Sequence, residues 1–166
     1  MPKRGIKMLN KITAWGIGNK LGRITWSYFA FTIILYIIKP DIFIIIQIPF
    51  LASAILGTIF IIIGLVMFSL GAKVIRKAFH EGRLITNGVY AIVRNPMYSG
   101  LLIFVLLGIA LWFRSWLMLT VPLVSYIAFR LFFKVEDKYL EEKFGQEYLD
   151  YKSKVNAIIP FPRFSK

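Results

Sequence analysis

Two polar clusters stand out in an apolar chain. Arg94-Asn95-Pro96-Met97-Tyr98-Ser99-Gly100 sets an arginine, a proline break and a tyrosine at the edge of a hydrophobic run, and Glu136-Asp137 follows one hydrophobic hairpin later. Polar groups held at a bilayer surface by apolar helices cost free energy unless they serve a site. Upstream, Gly82-Arg83-Leu84-Ile85-Thr86-Asn87-Gly88-Val89-Tyr90 contains Asn87-Gly88, a turn signal because both residues tolerate a left-handed backbone. Pro96 lacks an N–H and pushes Asn95 toward an extended conformation. Together these residues predict an irregular backbone with free N–H and C=O groups. At membrane depth that is tolerated only when buried in protein or lining a cavity.

Each cluster also has a plainer reading. Asn95 can cap a helix with Pro96 at its first position, and Tyr90 and Tyr98 can be interfacial anchors. Arg130 and Lys134 lie one helical turn apart on one face, so they can be snorkelling residues ahead of a solvated acidic helix start at Glu136-Asp137. Other chemistry is excluded. The chain has no cysteine, hence no disulfide, thiolate metal site or cysteine nucleophile, and its one histidine, His80, reads as a loop residue and cannot make a multi-histidine metal site.

The elements that must position these clusters are membrane spans. The 166 residues are 58% hydrophobic with a mean hydropathy of +0.68, which few soluble domains reach. The 15 Phe, 8 Tyr and 4 Trp suit lipid-facing and interfacial packing. Apolar runs at 24–38, 49–71, 97–113 and 116–133 predict four helices, the first short for a crossing of about 20 residues. Lys39-Pro40-Asp41 ends the first run, and 42–48 is either an interfacial return or the start of the second helix. Gly57 and Gly64 suit close helix packing. Arg114-Ser115 is a tight turn flanked by Trp112 and Trp116, and Pro122 sits near the start of the fourth run. Beyond Lys134, Leu140, Phe144, Tyr148 and Tyr151 recur at helical spacing, predicting a surface helix or helix pair.

The expected protein is therefore all-α and polytopic: a single transmembrane domain with about four spans, a C-terminal helical hairpin and cytoplasmic amphipathic helices. Its parts are a basic arm (1–23), read as juxtamembrane or interfacial and not as a cleaved signal peptide, two spans (24–72), a basic loop (73–96), the hairpin (97–133) and a helical tail (134–166). The net charge of +13 sits in the arm, the loop and the tail. The positive-inside rule places all three, and both termini, in the cytoplasm. No basic soluble domain exists to bind nucleic acid, so the partners expected of this charge are membrane lipids.

The segment 83–160 resembles the isoprenylcysteine carboxyl methyltransferase family and its phospholipid methyltransferase relatives. The resemblance rests on an ordered set: Leu84-Ile85-Thr86-Asn87-Gly88-Val89-Tyr90, the Arg94–Gly100 segment, a hydrophobic hairpin, paired carboxylates at Glu136-Asp137, Leu140, Phe144-Gly145-Gln146-Glu147-Tyr148-Leu149-Asp150-Tyr151, and Ile159-Pro160. It implies methyl transfer from S-adenosylmethionine to a lipophilic or lipidated acceptor: a prenylcysteine carboxylate, a lipid amine or a hydrophobic thiol. By the same resemblance Gly82, Arg83, Leu84, Ile85, Gly88, Tyr90, Asn95, Pro96, Met97 and Tyr98 form the cofactor site with Glu136 and Asp137. Glu136 would hold the cofactor's polar end, and tyrosine faces would stabilise a sulfonium.

Three positions depart from the family pattern. Asn95 stands for histidine and cannot serve as a base near neutral pH. Asp137 stands for the second glutamate. Phe132 stands where the isoprenylcysteine enzymes carry an arginine, leaving Arg130 and Lys134 as candidate substrate-side cations; with Glu136 they complete the expected catalytic set. The 73–82 stretch has no glycine-rich nucleotide motif, so a Rossmann-type enzyme is excluded. A sterol-reductase-like NADPH enzyme and a non-catalytic membrane scaffold are the competing readings.

Overall fold

A computed structural model describes residues 17–161, except for the side chains of residues 76–81, among them His80 and Glu81. Most of the basic arm lies outside the described residues, as do residues 162–166 of the tail. The described residues are helical, with no β-strand beyond one isolated bridge. Helix α1 is Gly18–Ile38, α2 is the single turn Pro40–Phe43, and α3 is Phe50–Glu81. The single turn α4 is Val89–Ile92, and α5 is Pro96–Phe113, of which Ser99–Val105 is π-helical. Helix α6 is Thr120–Phe144 and α7 is Gln146–Lys154.

Three of these helices are long and apolar enough to cross a membrane: Gly18–Ile38, Phe50–Ile75 and Pro96–Phe113. At 1.5 Å per residue, the 21 residues of α1 reach about 30 Å, the thickness of the hydrocarbon core. The fourth expected span is the apolar part of α6, whose length also carries Arg130 and Lys134.

Several boundaries differ from the sequence expectation. Helix α1 begins at Gly18, inside the expected arm, because Lys20 and Arg23 are exposed and their long stems let charge leave an apolar helix. Helix α3 runs on to Glu81, so the irregular loop is 82–95 and not 73–96. Basic residues mark where the chain leaves the bilayer, but they favour helix as well as most residues do. Helix α6 does not stop at Lys134. It continues unbroken to Phe144 and ends only where Gly145 takes a φ of 54°, a conformation that strains any residue with a Cβ.

Residues 42–48 do not form a span. They run past the turn after α5, with Ile45 N–H bonding Arg114 O at 2.6 Å and Trp116 N–H bonding Phe43 O at 3.1 Å. Arg114 donates to Ile48 O at 2.9 Å and Trp116 Nε1 to Ile42 O at 3.0 Å. The two weakly charged turns thus pair at one end of the bundle. Ile17, the 82–95 loop and α7 gather at the other.

Helices α3 and α5 are in backbone contact. A Cβ placed on Gly57 would fall 2.6 Å from Gly108 O, and one on Gly64 would fall 2.5 Å from Gly100 O. These glycines are seven apart on α3 and eight apart on α5. Eight residues of regular α-helix turn 800°, leaving Gly108 about 80° off the face of Gly100. The π segment Ser99–Val105 absorbs the extra residue and returns both glycines to α3. Helix α1 packs on α6 instead, through Thr25 Oγ1 to Ser125 Oγ and Tyr28 OH to Thr120 Oγ1, both 3.0 Å. The main core lies at this seam, with Leu21, Leu102, Val121, Phe129 and Phe133 buried.

Candidate active site

A cavity of about 340 Å³ lies between α1, the 83–98 segment, α6 and α7. On α6 it is lined by Glu136, Tyr139, Leu140, Lys143 and Phe144. These positions follow i, i+3, i+4, i+7, i+8, one face of a helix, and they exist as a face only because α6 continues past Lys134. Across from them stand Arg83, Leu84 and Ile85, then Tyr90 and the run Arg94 to Tyr98. The cavity extends downward to Trp26 of α1, Phe68 of α3 and Leu101 of α5, inside the three spans.

Glu136 is partly buried. Its Oε2 accepts the Ile17 N–H at 3.4 Å, and it makes no ion pair among the described residues. Burial pushes its carboxyl above the usual carboxylate range; the Ile17 N–H works against this and the Asp137 charge adds to it.

The loop opposite is anchored rather than capped. Asn95 occupies the cap position of α5, with Pro96 at the start, but its side chain makes no capping bond. Instead Asn95 donates to Ala157 O, from N–H at 2.9 Å and from Nδ2 at 3.3 Å, and Arg94 N–H bonds Asn156 O at 2.8 Å. The irregular backbone foreseen around Pro96 is thus satisfied by the tail.

Arg94 completes the anchor. Its Nη1 meets Asp137 Oδ1 at 2.7 Å and the Tyr148 hydroxyl at 2.6 Å, and its Nε donates to Val155 O at 3.1 Å. The rings of Phe133 and Tyr148 sit 5.7 and 5.6 Å from the guanidinium. Tyr148 in turn donates to Asp137 Oδ1 at 2.6 Å, and Lys152 bridges Asp137 and Glu141. Burial alone would raise the Asp137 carboxyl, yet bonds from Lys152, Tyr148 and Arg94 hold it below the usual range.

The tyrosines stay protonated. Burial raises the phenols of Tyr90, Tyr148 and Tyr151, and the bond to Asp137 raises Tyr148 further. Tyr90 donates to Gly71 O at 3.2 Å and Tyr151 to Tyr90 O at 2.5 Å. They offer ring faces and fixed donors, and no base.

Of the expected site residues, the structure brings Arg83, Leu84, Ile85, Tyr90, Asn95, Pro96, Met97, Tyr98 and Glu136 to one cavity. Gly82 and Gly88 do not line it; their positive φ values, 64° and 59°, shape the loop that does. Asp137 turns into the Arg94 cluster. Arg130 and Lys134 are exposed and line nothing of the cavity, and Arg130 instead bonds Tyr126 OH at 3.2 Å. Lys134 is two residues from Glu136, a 200° turn that sends it to the opposite face. The sequence reading missed the α1 wall, Gly18, Asn19, Gly22 and Trp26. The signal it offered was Gly18 and Gly22, four apart on one side of a helix.

Known proteins show which family the chain falls in. The family model "Phospholipid methyltransferase" matches residues 50–147. A "Probable protein-S-isoprenylcysteine O-methyltransferase" of Oryza sativa subsp. indica is 34% identical over 122 aligned residues, covering 63% of this chain and 60% of the relative. "Protein-S-isoprenylcysteine O-methyltransferase B" of Arabidopsis thaliana is 36% identical over 97, covering 54% of this chain and 44% of the relative. The chain thus spans about three-fifths or less of the length of these relatives. No solved structure matches it significantly. The family match covers more than half of the chain and takes in α3, α5, α6 and the loop that carries the cavity wall, so this integral membrane protein belongs to the phospholipid methyltransferase family.

Proposed function

We propose that the protein is an S-adenosylmethionine-dependent methyltransferase acting on a lipophilic acceptor at the cytoplasmic face of the membrane. The observation that carries this reading is the setting of Glu136: a buried-side carboxylate, without an ion pair among the described residues, in an aromatic cavity that continues between membrane spans.

The residues present fit such a cofactor. A carboxylate raised by burial is stabilised by a cationic or hydroxyl donor, which an ammonium or ribose supplies. Arg83 can hold a carboxylate. Tyr90, Tyr98 and Tyr148 offer ring faces to positive charge, and Leu84, Ile85 and Met97 form an apolar wall. A volume of about 340 Å³ lies in the ordinary range of small-molecule pockets.

When bound, the cofactor supplies an electrophilic methyl group on a cationic sulfur. The chain supplies orientation. Glu136 and Arg83 hold the polar ends, the tyrosine rings exclude water, and Asn95 ties the loop to Ala157 without exchanging a proton. The lower end of the cavity, at Trp26, Phe68 and Leu101, faces where an acceptor dissolved in the bilayer would arrive. Phe132 provides no cation, and Arg130 and Lys134 face away, so the basic groups at the cavity are Arg83, Lys143 and Arg94, the last of them paired with Asp137. The acceptor is a prenylated cysteine carboxylate, a lipid amine or a hydrophobic thiol.

The test is transfer of labelled methyl from S-adenosylmethionine by purified protein in detergent, to a farnesylated cysteine and to a membrane lipid extract. Organic-soluble label is expected, base-labile for an ester and base-stable for an amine or thioether. Cofactor binding without any labelled product would favour the scaffold reading, and no binding at all would remove the cofactor site.

A further inference from the structure

Asp137 lies beside the cavity and outside its lining, yet it is the hub of the contacts that close it. It holds Arg94, whose backbone leads directly into Asn95–Tyr98 on one wall. It accepts from Tyr148, whose ring lines the cavity from α7. It pairs with Lys152, one turn further along α7. Through its own backbone it is fixed to Glu136 on α6. Three separate walls therefore meet at one carboxylate, with side-chain exposures of 16% for Asp137 and 6% for Arg94.

We propose that Asp137 is a positioning residue, acting through Arg94 and Tyr148 to set the separation between Glu136 and the Asn95–Tyr98 wall. This replaces the direct cofactor contact expected for it from the paired-carboxylate motif, and it rests on the reading of the cavity as the cofactor site. The chemistry favours the assignment. A guanidinium between two rings, with Nε and Nη1 both committed, has one orientation, and a charged acceptor at its end fixes the loop more tightly than a neutral one. Losing that charge would leave Arg94 buried without its counter-ion, so the loop would shift toward water.

The test measures affinity and stoichiometry for S-adenosylmethionine by calorimetry on the full-length protein in detergent, for wild type, Asp137→Asn, Asp137→Glu, Tyr148→Phe and Lys138→Gln. Asp137→Asn is expected to weaken binding by tenfold or more at unchanged stoichiometry, and Asp137→Glu, which restores the charge, to recover affinity to within about threefold of wild type. Tyr148→Phe keeps the ring and loses only the bonds to Asp137 and Arg94; a loss of about three- to tenfold is expected, and it carries the test if Asp137→Asn does not fold. Lys138→Gln, an exposed change, should bind as wild type. Wild-type affinity in both Asp137→Asn and Tyr148→Phe overturns the proposal, as does a variant whose folded fraction binds normally at reduced stoichiometry, the mark of a purely structural role. Failure of wild type itself to bind would instead overturn the cofactor site.

Discussion

Glu136 and Asp137 are adjacent on α6 and have opposite electrostatic settings. Glu136 faces the cavity and is pushed up by burial, whereas Asp137 enters the Arg94, Tyr148 and Lys152 cluster and is held down despite burial. The 100° turn between neighbouring helical residues separates the two. One carboxylate is left available to a ligand and the other is fully engaged.

Ligand binding should therefore lose strength as pH falls, and should do so above the ordinary glutamate range of about 4.3. Binding needs the ionised form, and Glu136 gains its proton at higher pH than an exposed glutamate. Glu136→Gln should weaken S-adenosylmethionine by about 10- to 100-fold, the scale of one hydrogen bond to a charged group, roughly 1.5–3 kcal/mol. It should also remove the pH dependence. Calorimetry from pH 5 to 8 checks both, and a Glu136→Gln variant with wild-type affinity sinks the assignment.

Stability without ligand should move the other way. A carboxyl whose folded pKa is raised favours the folded state when protonated, and that contribution is lost as pH rises through the folded value. Glu136→Gln should thus raise the thermal midpoint of the ligand-free protein at pH 7.5, and the gain should shrink as pH falls toward the unfolded value of about 4.3. Asp137 has the opposite sign: its folded value is lowered, so its contribution is present above about 3.9 and lost as pH falls toward the folded value. Melting curves of the two variants across pH separate these effects.

The glycine contacts between α3 and α5 should tolerate no side chain. In Gly64→Ala the new methyl would meet backbone at Gly100 O, which cannot rotate away. A loss of about 1–3 kcal/mol is expected from overpacking. Gly22→Ala, whose nearest neighbour would be Trp26 Cδ1 at 3.8 Å, should be neutral or slightly stabilising. Thermal unfolding in detergent distinguishes them, and equal behaviour would contradict the packing.

How much of this was legible in the sequence depends on range. Three of the four expected spans and the Pro96 break were readable because local rules for proline, glycine and apolar runs govern them. That Arg130 and Lys134 fall outside the cavity could not be read, because side-chain direction depends on the phase of α6, which becomes clear only once that helix is known to run through to Phe144. The roles of Glu136 and Asp137 could not be divided for a related reason: the division requires Arg94 and Tyr148, 43 and 11 residues from Asp137. The π segment of α5 has no local composition signal. It follows from matching seven residues on α3 with eight on α5, which is a property of the pair.

The hydroxyl contacts that join α1 to α6 should be coupled. Thr25 and Ser125 are both buried and 3.0 Å apart. Thr25→Val or Ser125→Ala alone leaves the partner hydroxyl unsatisfied, and each is expected to cost about 1 kcal/mol, within the range seen between membrane helices. The double variant should cost less than the two singles together. Strict additivity in a thermal-unfolding cycle would show that the bond contributes nothing.

The pairing of the 39–49 connection with the 114–116 turn, opposite the cavity end, fits a bundle whose basic ends share one side. With both termini in the cytoplasm and α6 crossing as the fourth span, Lys39 should lie outside and Lys138 inside. The chain has no cysteine, so single substitutions report without background. Lys39→Cys should react with an impermeant maleimide in intact cells, and Lys138→Cys only after permeabilisation. Reaction of both from outside would contradict the unbroken course of α6 from the end with the 114–116 turn to the cavity end. Reversed labelling would invert the protein and place Glu136 where a cytoplasmic methyl donor cannot reach it. The labelling pattern therefore tests the site assignment as well as the topology.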